Sequence, residues 1–76
     1  MVDAYAMIDT ATGTSDEVCE TLRDAEGIAA AYVITGDFDV MVELTGDEPR
    51  DLLETVTTTI RPLKGVGATR TYVCVD

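Results

Sequence analysis

Four short apolar runs and two amphipathic stretches follow one another in this chain as strand, helix, strand, strand, helix, strand. That order, more than any single motif, limits what the chain can fold into. Segment 2–9 reads as the first strand, with Ala4, Ala6 and Ile8 on one face and Tyr5 and Met7 on the other. A loop through Gly13 leads to Thr14-Ser15-Asp16-Glu17, which has the spacing of a capping box. Val18, Leu22 and Ala25 then recur at helical spacing, and Gly27 suits a left-handed stop, which predicts a helix over 15–26. Segments 28–35 and 40–45 read as two strands of a hairpin around Gly36-Asp37-Phe38-Asp39. Pro49 opens a second helix, Leu52, Leu53, Val56 and Ile60 mark its stripe, and Pro62 ends it, which predicts 49–61. After a turn at Lys64-Gly65-Val66-Gly67, segment 68–75 is the last strand.

With each βαβ half right-handed, this order gives a single α+β domain over 1–76. Its expected form is ferredoxin-like: an antiparallel four-stranded sheet with two helices on one face. Two helices cover one face only, yet the first strand is apolar on both. The second face needs a cover, and another copy of the same sheet is the simplest one. Length argues the same way. A chain of 76 residues buries only about 60–65% of its unfolded surface, so small domains add disulfides, a metal or a partner subunit. There is no histidine and no C-x-x-C pair, so no metal-ligand set is expected. Cys19 and Cys74 read as two buried thiols acting as small hydrophobes; a disulfide between them is the other arrangement the count allows.

Charge excludes further classes. Fifteen Asp and Glu against five Lys and Arg leave a formal net charge of −10. Phosphate backbones repel such a surface, so no direct nucleic-acid binding is expected. The acids are spread along the chain and Lys64 is the single lysine. We read this as adaptation to high salt, the other reading being an acidic patch for a basic partner. No apolar run approaches the ~20 residues that cross a bilayer. Met1-Val2-Asp3-Ala4-Tyr5 lacks the basic start of a signal peptide. Two cysteines without a leader fit a reducing cytoplasm.

Catalysis finds little to work with. Without histidine no ordinary nucleophile–base pair can be assembled, and the absence of asparagine and glutamine removes the amides an acyl-phosphate hydrolase of this fold would use. Neither an enzyme nor a cofactor is therefore expected. The segment with binding chemistry is Thr35-Gly36-Asp37-Phe38-Asp39. Glycine permits close backbone approach, turn N–H groups can hold a carboxylate, and an aspartate can hold an ammonium group, the two ends of an amino acid. The plainer reading is a hairpin turn with polar tips and an exposed phenylalanine. Thr69 and Thr71 share one face of the last strand and either complete a polar pocket or simply suit a strand.

Taken jointly, Ala30-Ala31-Tyr32-Val33-Ile34, the following Thr35-Gly36-Asp37-Phe38-Asp39-Val40, Ile60-Arg61-Pro62-Leu63-Lys64-Gly65-Val66 and Thr69-x-Thr71 resemble the effector-binding (RAM) domain of the leucine-responsive/asparagine-responsive regulators, the Lrp/AsnC family. The resemblance spans essentially the whole chain. It implies a dimer built through the sheets, in a dimeric α+β barrel type of assembly, and dimers gathered into octamers or larger rings. It also implies amino-acid effectors bound at dimer–dimer contacts near Gly36, Phe38, Asp39, Thr69 and Thr71. Regulators of this kind carry a helix-turn-helix that these residues do not match. The expectation is thus a stand-alone sensor, similar to domain-only archaeal members. It would act on transcription or amino-acid metabolism indirectly, for instance by mixing with full-length Lrp/AsnC regulators. An assembly module that binds no small molecule is the alternative.

Overall fold

In a computed structural model that describes residues 3–76, the elements run β1 (Ala4–Thr10), α1 (Ser15–Arg23), β2 (Ile28–Val33), β3 (Val40–Leu44), α2 (Pro49–Thr55) continued as a π-helical segment (Val56–Ile60), and β4 (Val66–Val73). The four strands form one antiparallel sheet in the order β2-β3-β1-β4, so the expected ferredoxin-like βαββαβ layer is the fold. Val2, included in the expected first strand, lies outside the described residues, as does Met1.

The strand period sorts the side chains. Ala4, Ala6 and Ile8 of β1 and Val40, Val42 and Leu44 of β3 are buried, and pack in one cluster with Val18, Cys19 and Leu22 of α1 and Leu52, Val56 and Ile60 of the second helical stretch. That cluster is the core, and it fixes the helices to one face. Burying a side chain such as Ile8 or Leu22 contributes about 1.5–3 kcal/mol, so few residues carry much of the fold. The opposite face is open. Register places Tyr32, Met41, Met7 and Arg70 in one row across it and Ala30, Glu43, Tyr5 and Tyr72 in the next. It is thus largely apolar, with Tyr32 45% and Tyr72 56% exposed.

Several boundaries depart from the pattern-based expectation. Helix α1 ends at Arg23 rather than 26, because Ala25 N–H and Ile28 N–H close two successive turns onto Leu22 O and Ala25 O. The capping box at Thr14 does not form. Thr14 Oγ1 donates instead to Ala11 O at 2.7 Å, and packs so close to Gly65 (φ +96°) that a Cβ there would sit 2.8 Å from it. Asp16 and Glu17 still occupy the first turn, where the helix dipole favours acids. At the second helix the reciprocal bond is present: Glu48 N–H donates to Asp51 Oδ2 at 3.0 Å.

The expected helix 49–61 is helical to Ile60, but its second half is widened, and Leu53, expected in its buried stripe, is exposed, since one residue's 100° step from Leu52 carries it off the face of Leu52, Val56 and Ile60. Arg61 N–H reaches Val56 O at 2.9 Å, a bond across five residues. Threonine hydroxyls bonding back to carbonyls, Thr55 to Asp51 and Thr58 to Glu54, compete with the α ladder along this β-branched run. Strand β4 starts and stops two residues earlier than expected. Its register follows β1, from Val66 opposite Thr10, past a bulge, to Val73 opposite Ala4. Cys74 therefore lies beyond the strand and is exposed, correcting the expectation of two buried thiols; Cys19 is buried and both are free. Burial pushes the Cys19 thiol up from its usual value. Among the described residues no helix is long and apolar enough to cross a membrane.

Candidate functional site: the turn between β2 and β3

The turn sits where β2 and β3 separate after the Val33–Val40 pair. Gly36 takes φ +136°, a conformation that side chains strain to reach, and nothing lies within 4 Å of where its Cβ would be. Glycine here serves the turn and leaves open space beside the backbone. Ile34 N–H donates to Asp39 O at 2.9 Å and so closes the loop. Thr35, Gly36 and Asp37 are exposed. Phe38 is half-buried, not exposed as its place in a polar turn suggested, which anchors the middle of the loop against the protein.

Asp39 is the best-held residue of the segment. Its N–H donates to Ile8 O at 2.9 Å. Its Oδ2 accepts the Thr10 N–H at 2.8 Å and the Thr10 hydroxyl at 3.3 Å. Thr10 Oγ1 lies 2.9 Å from Ser15 Oγ, at the first residue of α1. The turn is thereby tied to the end of β1 and the start of α1. Thr10 and Ser15 were not singled out from the sequence. A threonine and a serine in a Thr/Gly-rich loop look like linker residues, and no spacing rule connects them to an aspartate 29 positions away.

Thr69 and Thr71 are half-buried and pair with Ile8 and Ala6 respectively, so they share the helix side of the sheet. Ile8 also pairs with Val40, which puts Thr69 level with the start of β3 but two strands over. At 4.7–4.9 Å per strand spacing that is roughly 10 Å. One protomer therefore brings the turn and Thr69 to the same end of the sheet without bringing them into contact, and Thr71 lies one pleat further away. The clefts described in the chain do not include turn residues. One of about 600 Å³ opens at the other end of the hairpin, between Gly27, Thr45, Gly46 and the acidic face of α2.

Comparison with known proteins places this geometry. Residues 3–76 match the sequence model of the Lrp/AsnC ligand binding domain. A hypothetical protein from Pyrococcus horikoshii is 32% identical and superposes with a TM-score of 0.90, covering 99% of this chain and 90% of that one. AsnC of E. coli (14% identical, TM-score 0.88) is covered over 51% of its length by 99% of this chain. A transcriptional regulator of Neisseria meningitidis, solved in complex with L-Met (13% identical, TM-score 0.84), is covered over 50% of its length by 99% of this chain. Those two share the fold. No curated protein matches the chain. With the match running through every element of the sheet and both helices, the chain belongs to the Lrp/AsnC ligand-binding domain family.

Proposed function

We propose that this domain is an oligomeric sensor of a free amino acid, acting on transcription or metabolism through the proteins it assembles with. Copies pair through the open sheet face, as a dimer or as an octamer of four dimers. The effector sits at a join between subunits, lined by Thr35, Gly36, Asp37, Phe38 and Asp39 of one copy, with Thr69 and Thr71 of a neighbouring copy. The observation that carries the reading is the pinned turn, with open space at Gly36 and an exposed carboxylate at Asp37, set two strands from the threonines it needs. A site whose halves are too far apart in one chain is completed by a second. L-Met in the Neisseria regulator supports an amino acid as the ligand class. The helices turn Val18, Leu22, Leu52, Val56 and Ile60 into the core and most of their acids outward. Contact with DNA then falls to partners, full-length regulators of this family among them.

The test is a thermal-shift screen of the chain against the twenty L-amino acids in concentrated KCl, paired with the mass of the assembly. A ligand present at a hundred times its Kd stabilises by about 2.7 kcal/mol, a shift of several degrees for a domain this size. At least one amino acid is expected to raise the midpoint. If none does so at millimolar concentration, sensing is refuted. The competing reading, a bare assembly module, draws on the lack of turn residues in the clefts described; it predicts an assembly of fixed mass that ignores every amino acid.

A further inference from the structure

Two rows of side chains cross the open face of the sheet, and each carries one charge. Arg70 ends the row Tyr32, Met41, Met7, Arg70, and Glu43 lies in the row Ala30, Glu43, Tyr5, Tyr72. The two charges stand two strands apart, roughly 10 Å, and one row apart, with Met7 and Tyr5 between them. Glu43 is already set. The Tyr32 hydroxyl donates to its Oε2 at 2.8 Å, which draws the carboxylate toward the β2 edge and leaves Oε1 without a hydrogen bond among the described residues. Arg70 is exposed at the β4 edge. Copies that cover this face with each other put both charges into a seam of tyrosine and methionine, where a guanidinium without an acceptor is costly.

Symmetry decides which contacts are open to them. Two like sheets packed face to face are related by a two-fold axis lying between them, with strands aligned to within about 30°. An axis across the strands lays β4 on the partner's β4. It gathers the two Arg70 side chains at one edge and the two Glu43 side chains toward the other, like charges in a dry seam. An axis along the strands lays β4 on the partner's β2 and β1 on its β3. Arg70 then stands above the partner's Tyr32 ring, with the partner's Glu43 one strand and one row away, within an arginine's reach. Resting on the reading of the open face as the contact between copies, we propose that Arg70 of each copy docks on the Tyr32–Glu43 pair of the other. The two contacts close both edges of the seam and set the two-fold axis along the strands. The guanidinium covers an aromatic face and donates to a carboxylate, interactions that strengthen as water leaves. A foreign apolar surface would leave Arg70 unpaired; a second copy supplies its acid.

The experiment is sedimentation equilibrium of the full chain in concentrated KCl. The variants are Arg70→Glu, Glu43→Arg and a control, Arg50→Glu, which makes the same change of charge on α2, away from the open face. Alone, Arg70→Glu brings acid against acid at each contact and Glu43→Arg cation against cation. Each is expected to self-associate at least about a hundredfold more weakly than the parent. Mixed one to one, the two variants carry complementary pairs at both edges, and a heterodimer within about tenfold of parental affinity is expected. A contact made inside one chain would not be repaired this way, because each chain keeps its own like charges. Where one variant folds poorly alone, the two are refolded together and the heterodimer is read in the same way. Arg50→Glu is expected at parental mass. With a dimeric parent, unchanged affinity in both single variants, equal weakening in Arg50→Glu, or a mixture that stays monomeric would overturn the proposal and leave the sheet-faced dimer standing. A monomeric parent would refute that dimer and this contact with it.

Discussion

Replacing Tyr72 with aspartate separates a sheet-faced dimer from a chain that merely has aromatic residues on its surface. Tyr72 lies on the open face, paired with Tyr5, and is 56% exposed. A tyrosine presents about 200 Å², so roughly 110 Å² of this ring is left for a partner to cover. At ~25 cal/mol per Å² that is about 2.5–3 kcal/mol per ring. Two-fold symmetry counts the loss twice, about 5 kcal/mol per dimer, before any cost of seating a carboxylate in an apolar seam. That weakens association by about three to four orders of magnitude. The assay is size-exclusion chromatography with light scattering in concentrated KCl at micromolar protein. The parent is expected at twice the chain mass or a multiple of it, and Tyr72→Asp at the monomer mass with unchanged far-UV circular dichroism. Leu53→Asp is the control, since Leu53 is also 56% exposed but lies on α2, away from the open face. A parent that is itself monomeric, or a Tyr72→Asp chain of parental mass, would refute the reasoning from exposed sheet to partner.

Three further outcomes are expected. Lowering salt should unfold the chain: the Debye length grows from about 3 Å at 1 M to about 30 Å at 0.01 M. The longer value spans most of a molecule measuring 34 × 22 × 17 Å with a net charge of −10. Circular dichroism unchanged between molar and millimolar KCl would contradict the halophilic reading. A thiol reagent should label Cys74 in the native protein and Cys19 only on unfolding, and equal rates would contradict the assigned burial. Tyr32 donates to Glu43 Oε2 at 2.8 Å, and this bond with the carboxylate's charge raises its pKa above the ordinary 10.0. The raised value means the bond's contribution is present below pH 10 and is lost as pH climbs through the folded pKa. In titration of tyrosinate absorbance, Glu43→Gln should shift the Tyr32 transition down; no change in that variant would remove the assigned cause.

Period and punctuation carried the fold. Alternation in 40–45, the helical recurrence of Val18 and Leu22, and the breaks at Gly36, Pro49 and Pro62 are local properties, so the element order and the buried face of each element were readable in the chain. What those rules could not see were competitions settled between elements. Thr14 has the spacing of a cap, but its hydroxyl turns to Ala11 O and packs beside Gly65, 51 positions further on. The register of β4 is set by where β1 ends and bulges, not by its own alternation. Cys74 is outside because of that register.

The site divides along the same line. Glycine, aspartate and an aromatic in a short turn are visible as letters, and so is the polarity of the paired threonines. That Phe38 is half-buried, that Asp39 spends an oxygen on a backbone N–H across 29 positions, and that Thr69 stands two strands from the turn follow only from how the strands are laid side by side. Local sequence biases backbone angles and the direction of each side chain. Contacts between residues distant in the chain depend on strand order and register, which the burial of the whole core decides at once.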